Sequence, residues 1–151
     1  MDEISSFRGD YFFLSNFYPV EFAVEGLGSV RSSEQAYMAF KAVYEDDRLA
    51  VLRAMTPAEA KEIAGSVALT PGWDAGGRVN AMLTAVSAKF AVPDLRRRLI
   101  ETGTAPLTEG NTHHDNYWGD CVCGRSECLL PGKNMLGELL MALRSGLRQS
   151  T

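Results

Sequence analysis

The chain contains no apolar run approaching the roughly eighteen residues a membrane helix needs, and its start, with Asp2 and Glu3, lacks the basic region and apolar core of a secretion signal. These absences predict a soluble, cytoplasmic protein with no membrane partner. Positive charge is not in surplus either. The formal net charge is -4, so nothing draws the chain to nucleic acid at long range, and any such contact needs a local basic patch. Arg96, Arg97 and Arg98 form the one dense basic run, and on a helix such a run marks a solvated face. No repeat, linker or low-complexity tract divides the 151 residues, of which 46% are hydrophobic, enough for one substantial core. A single domain over residues 1–151 is expected, with no obligate protein partner.

What is present centres on S-S-E-Q-A-Y-M-A-F-K, Ser32 to Lys41. A serine cap followed by Ala36, Tyr37, Met38, Phe40 and Val43 predicts a helix buried along much of its surface. Glu34 and Lys41 break that apolar pattern. Seven residues at 3.6 per turn make almost two full turns, so both side chains leave the helix in nearly the same direction. A carboxylate and an ammonium on one apolar face are either a structural ion pair or rim charges, or two groups whose pKa values are tuned for chemistry.

Upstream, Phe7, Tyr11, Phe12, Phe13, Phe17, Tyr18 and Phe22 crowd an N-terminal arm that must pack. Val20 to Val24 and Leu27 to Val30 read as strands of a hairpin turning at Glu25-Gly26. Between arm and hairpin, Ser15 and Asn16 interrupt an apolar segment and could satisfy turn backbone. Downstream, Asp46 to Met55 is a second short helix, and Thr56-Pro57-Ala58-Glu59 opens a third with a cap, a first-turn proline and a capping-box glutamate, ending near Gly65. Pro71-Gly72-Trp73 is a turn. Val79, Met82, Leu83, Val86 and Phe90 recur at helical spacing up to Pro93, with Arg78 and Lys89 either solvent-side charges or the frame of a phosphate site. A helix from Pro93 to Thr102 ends at Gly103, Leu107 to Glu109 reads as a short strand, and Gly110 to Asn134 as a long ordered loop. A last core helix carries Leu136, Leu139, Leu140, Leu143 and Leu147 on one face, with Arg144 near its end.

The segments F-L-S-N-F-Y-P (Phe13 to Pro19), Ser32 to Lys41, Trp73 with Arg78 and Met82, Lys89-Phe90, Thr102-Gly103, Glu109, Trp118-Gly119 and G-K-N-M-L-G-E-L-L-M-A-L-R (Gly132 to Arg144) occur in an order that resembles the NADAR family, also called YbiA-like proteins. The resemblance spans nearly the whole chain. It implies an α+β fold, a single mainly helical domain with a small N-terminal β-hairpin. It further implies N-glycosidase chemistry on ribosyl-linked bases: removal of ADP-ribose from guanine in nucleic acid, or cleavage of phosphoribosylamino-pyrimidine intermediates of riboflavin synthesis. The partner would then be ADP-ribosylated nucleic acid or a phosphorylated nucleotide-like small molecule. A binding module that recognises ADP-ribose without cleaving it is the alternative. Carried across by motif position, the site candidates are Glu34, Lys41, Asn16, Phe17, Trp73, Arg78, Glu109, Asp115, Trp118 and Asn134. The segment between Trp118-Gly119 and Gly132 is longer than in the shortest members and holds all three cysteines.

Breaking the bond between the anomeric carbon and nitrogen builds positive charge on the ribose and negative charge on the departing base. Glu34 suits the first, stabilising the sugar cation or activating water; Lys41 could protonate the base, hold phosphate, or form a Schiff base if the ring opens. Asp115 is the third catalytic candidate. Trp73, Trp118 and Phe17 could stack on a base or pack in the core, Arg78 could hold phosphate with Arg8 in reserve, and Asn16, Glu109 and Asn134 complete the binding set. No cofactor is expected for catalysis. Cys121, Cys123 and Cys128 with His114 could close a tetrahedral structural zinc site, although C-x-C is tighter than the usual ligand gap; ordinary reduced cysteines and a disulfide are the alternatives. His113 or His114 could instead be catalytic, or both could simply be exposed in a polar loop.

Overall fold

The computed structural model describes residues 2–150 and bears out the α+β, mainly helical reading. The chain clusters into two units, one formed by Asn16–Val92 and the other by the segments before and after it.

In the Asn16–Val92 unit, β1 (Phe22–Val24) and β2 (Gly28–Val30) pair antiparallel, with Phe22 opposite Val30. The predicted hairpin is there with shorter strands: Leu27 belongs to the turn, where its N–H donates to the Val24 carbonyl. α1 (Ser33–Lys41) starts where the Ser32 hydroxyl accepts the Gln35 N–H at 3.0 Å, and every residue from Ser33 to Ala39 is buried. Val43, expected on this helix, lies outside it. The chain leaves α1 at Ala42, and Val43 is exposed with its N–H on the Ala68 carbonyl.

Around α1 pack α2 (Glu45–Leu52), α3 (Pro57–Ala64) and α4 (Gly77–Lys89). The α3 start is as expected, Thr56 Oγ1 accepting the Glu59 N–H at 3.1 Å, but the Glu59 carboxylate reaches back to the Met55 N–H, one residue beyond the usual capping box. Phe22, Val24, Val30, Ala36 and Ala85 form an apolar core, flanked by Val20, Leu27, Phe40, Leu52, Ala88 and Val92. On α4, Met82, Val86 and the following Phe90 are buried as predicted, whereas Leu83 faces solvent.

In the other unit, α5 (Pro93–Glu101) packs against α6 (Met135–Gln149). Leu136 and Leu140 are buried and Leu139, Leu143 and Leu147 half-buried, while buried Arg144 donates to Thr102 Oγ1 at 2.9 Å. The basic run divides. Arg97 is solvated and paired with Asp94 and Glu101, but the Arg98 guanidinium lies 4.1 Å from the centre of the Phe13 ring. Phe7 and Phe13 pack as expected of the arm; Tyr11 and Phe12 stay exposed.

The strand expected over Leu107 to Glu109 shrinks to a single parallel bridge between Ile4 and Leu107. Pairing stops there because the next N–H that would face Ile4's segment, that of Gly110, turns back onto the Thr108 carbonyl at 3.0 Å, while the Asn134 side chain takes the Glu109 N–H on the other side. The strand lies just beyond, where β3 (Gly110–Asn111) pairs parallel with β4 (Asp120–Cys121) inside the predicted loop.

Candidate active site

The site candidates divide between the two units. In the Asn16–Val92 unit, Glu34 sits in the first turn of α1 and is only 7% exposed. Its backbone N–H donates to the Asn16 carbonyl, while Asn16 Oδ1 accepts the Ser33 hydroxyl at 2.8 Å and Asn16 Nδ2 reaches Met82 Sδ at 3.3 Å. Asn16 thus fixes the start of α1 against α4 rather than merely closing a turn. Gln35 does the same from the next position. Its side-chain amide, 2% exposed, donates to the carbonyls of Val51, Leu52 and Ala54 and accepts the Arg31 N–H, anchoring α1 to the end of α2. Two buried amides therefore hold the turn that carries Glu34.

Lys41 ends α1 half-buried, seven residues and almost two turns from Glu34. The fully buried lysine is a different one. Lys89, at the end of α4, has 0% exposure, and its Nζ lies 5.6 Å from the Tyr18 ring centre and 5.0 Å from that of Phe90. Burial drops its pKa to about 7. This corrects the solvent-side reading of Lys89, which its place beyond Met82 and Val86 on the buried side of α4 precludes. Arg78, in the first turn of α4, is half-buried. Trp73 is buried with its ring 5.2 Å from that of Tyr37, a core contact, whereas Phe17 is 37% exposed and keeps a surface for stacking.

In the other unit, the loop candidates form one polar network. Asn111, buried, donates from Nδ2 to Glu109 Oε2 at 3.1 Å and to the Asp115 carbonyl at 2.8 Å, and accepts the N–H groups of His113 and Asp115. Asp115 Oδ1 accepts the backbone N–H groups of Tyr117 and Trp118, so the carboxylate proposed for catalysis also shapes its own turn. The Asn134 side chain bridges the Glu109 N–H and the Leu107 carbonyl, and the carbonyls of Tyr117 and Trp118 accept the first N–H groups of α6. A side chain at Gly119 would overlap the Glu109 carboxylate, and one at Gly132 would overlap the Gly119 carbonyl, which is why both motif positions need glycine. Trp118 is half-buried, edge-on to Tyr117 at 4.9 Å. Arg8 is exposed in the arm before the 3-10 turn Gly9–Leu14.

The same loop gathers His114, Cys121, Cys123 and Cys128, whose ligand atoms all lie within 4.8 Å of one another. His114 Nδ1 is 3.4 Å from Cys128 Sγ, 3.6 Å from Cys123 Sγ and 3.8 Å from Cys121 Sγ. This set could bind a metal ion; His113 is not part of it. Beside the arm and α5, a cavity of about 370 Å³ is lined in part by Asp2, Asp10, Glu101 and Arg98. Three carboxylates against one guanidinium suit a phosphate-bearing ligand poorly, and none of the site candidates lines it.

The description NADAR domain matches residues 6–148, both units together. The chain belongs to the NADAR family. It is 35% identical over 141 residues to the N-glycosidase YbiA of Escherichia coli, covering 91% of this chain and 82% of that protein. A shorter match, 39% over 57 residues, joins it to an N-glycosidase of Acanthamoeba polyphaga mimivirus, covering 34% of this chain and 33% of that one. The solution structure of Escherichia coli YbiA superposes with a TM-score of 0.82 at 32% identity, covering 99% of this chain and 88% of that one. N-glycosidase activity, and hence a glycosyl hydrolase, is what this membership supports. Within the NADAR pattern, Lys89 was legible only as half of a Lys-Phe pair, and Gln35, Asn111 and Asn116 were not singled out. Their signal was a polar residue placed where the periodicity calls for an apolar one, or repeated asparagine in a loop too long to be unstructured.

Proposed function

We propose that the chain is an N-glycosidase that removes ADP-ribose from ADP-ribosylated guanine in nucleic acid, with Glu34 and Lys89 as its central pair. The observation that carries this reading is the burial, within one unit, of a carboxylate at the start of α1 and an amine at the end of α4, two helices that pack together. Neither charge is tolerated in a core without a reason. Glu34 stabilises the sugar cation or activates the attacking water. Lys89, with a pKa of about 7, is half protonated near neutral pH, where a general acid for the departing base nitrogen works best. Lys41, half-buried at the other end of α1, is assigned to phosphate, with Arg78 beside it in role, and exposed Phe17 to base stacking. Asp115, Glu109, Trp118 and Asn134 act through the loop they hold together. The cluster of three cysteines and one histidine is given no step in the reaction, because a tetrahedral ion held by all four leaves no position for water.

The acidic net charge of -4 favours a compact phosphorylated substrate over a long nucleic-acid track, which keeps the phosphoribosylamino-pyrimidines as the second reading. Purified protein incubated with guanine-ADP-ribosylated single-stranded DNA, and separately with those pyrimidines, separates the two by mass spectrometry of released ADP-ribose, ribose phosphate and base. Release from the DNA is expected. Release from the pyrimidines alone reassigns the substrate, and tight ADP-ribose binding without any release makes the chain a binding module.

A further inference from the structure

The cluster in the long loop has a geometry that the glycosidase reading does not use. Zinc bonds of about 2.3 Å to sulfur and about 2.0–2.1 Å to nitrogen, set at tetrahedral angles, put nitrogen and sulfur about 3.6 Å apart across an edge and two sulfurs about 3.8 Å apart. The three observed separations from His114 Nδ1 are 3.4, 3.6 and 3.8 Å. Three sulfurs at tetrahedral edge lengths from one imidazole nitrogen, with all four ligand atoms within 4.8 Å of one another, form the soft set that zinc prefers over hard, oxygen-seeking cations.

The surroundings are arranged toward the same end. Asn116 Nδ2 donates to Cys128 Sγ at 3.4 Å and the Arg125 N–H to Cys123 Sγ at 3.5 Å, the amide-to-sulfur bonds that stabilise a metal thiolate. His114 stands in the left-handed region at φ 68°, a conformation that costs a histidine energy and here lies beside its three sulfur neighbours. The tight Cys121–Cys123 gap is accommodated because Cys121 ends β4, where Val122 donates to the Asn111 carbonyl, and Gly124 turns the chain at φ 85°.

We propose that His114, Cys121, Cys123 and Cys128 bind one zinc ion that clasps the loop between Asn111 and Asn134. Binding exchanges thiol protons for zinc–sulfur bonds, releasing up to three protons to solvent with no redox change. The clasp has a job that burial cannot do. Val122, Leu129 and Leu130 in this loop are all exposed, so beyond Trp118 its buried apolar side chains are Cys121 and Cys128. Asn116 ties clasp to network, since its Oδ1 accepts the Cys121 N–H while its carbonyl accepts the Lys133 N–H next to Asn134. Zinc therefore holds the position of Glu109, Asp115 and Trp118 without touching substrate.

The test is metal content and spectroscopy of the full chain, independent of any turnover. Protein purified without chelator should carry about one zinc per chain, and cobalt(II) added to the reduced apoprotein should give the intense visible bands and sulfur charge transfer of a tetrahedral thiolate site. Cys128→Ser and, in case that buried change prevents folding, the half-buried Cys123→Ser should each weaken zinc binding at least ~10-fold and shift the cobalt spectrum. A strong chelator should raise proteolytic cutting between residues 112 and 133 in the wild type but not in the folded variant. Substoichiometric metal with no cobalt–thiolate band, an iron–sulfur chromophore instead, or Cys123→Ser binding zinc as tightly as the wild type would each overturn the proposal.

Discussion

Around α1 the chain is fixed by burying side chains, whereas between Gly110 and Asn134 it is fixed by amide and carboxylate side chains that bond backbone. In the first region, Ala36, Ala39 and Ala85 have no exposure at all, and the polar exceptions are few and placed at helix ends. In the second, Asn111, Asp115, Asn116, Asp120 and Asn134 each hold at least one loop N–H or carbonyl, and large apolar residues are left outside. The difference teaches that charges mean different things in the two places. A buried charge in the apolar region costs stability and so points to chemistry; a carboxylate in the polar network already has a structural reason to be there.

The largest effects should therefore come from the first region and appear in turnover rather than folding. Glu34→Gln should lower turnover by about 10²–10⁴-fold in a protein that still folds, checked by single-turnover release and calorimetry. Lys89→Met should lose a similar factor in turnover and change how stability depends on pH. The folded pKa of Lys89 is about 7 against 10.5 unfolded, so between those values the unfolded chain binds more protons and stability rises with pH. Relative to the wild type, the Met variant should be at its most stable below pH 7 and lose ground as pH climbs to 10.5, as denaturant unfolding across that range would reveal. As general acid, Lys89 should also make turnover fall as pH rises through about 7; a rise there would instead mark it as a nucleophile.

In the loop, effects should be structural first. Gly119→Ala drives a methyl into the Glu109 carboxylate and should cost about 1–3 kcal/mol, together with earlier proteolysis of the segment. Asp115→Ala strands the N–H groups of Tyr117 and Trp118 and should cost about 1–2 kcal/mol, less if water replaces the carboxylate. If turnover in Asp115→Ala falls as far as in Glu34→Gln while stability holds, the contrast between the regions breaks. The smallest change, Thr56→Ala at the α3 cap, should cost about 1 kcal/mol and leave turnover intact.

The apolar region was legible because its signals are local and periodic. The Thr56 cap, the start of α1 and the closure of α4 before Pro93 follow from rules acting within a turn or two. Lys89 was ambiguous because an ammonium placed eleven residues after Arg78 on a helix reads equally as surface; only the packing around α4 decides its burial. The loop was visible as a loop, and its cysteine and histidine set could be named from composition alone. Its pairing could not, since β3 and β4 are two residues each and depend on Asn111 and Asn116 bonding partners several residues away. The strand misplaced at Leu107 to Glu109 failed because the Gly110 N–H, which continued pairing required, turns back onto the Thr108 carbonyl.

The central claim, that a buried carboxylate on α1 breaks the bond between sugar and base, is tested most directly by single-turnover release of ADP-ribose from guanine-ADP-ribosylated DNA, comparing wild type with Glu34→Gln. Release by the wild type and a loss of at least about 10²-fold in the variant, with both equally folded, is the predicted result. Equal release by the two proteins would contradict it and leave Glu34 as a structural charge.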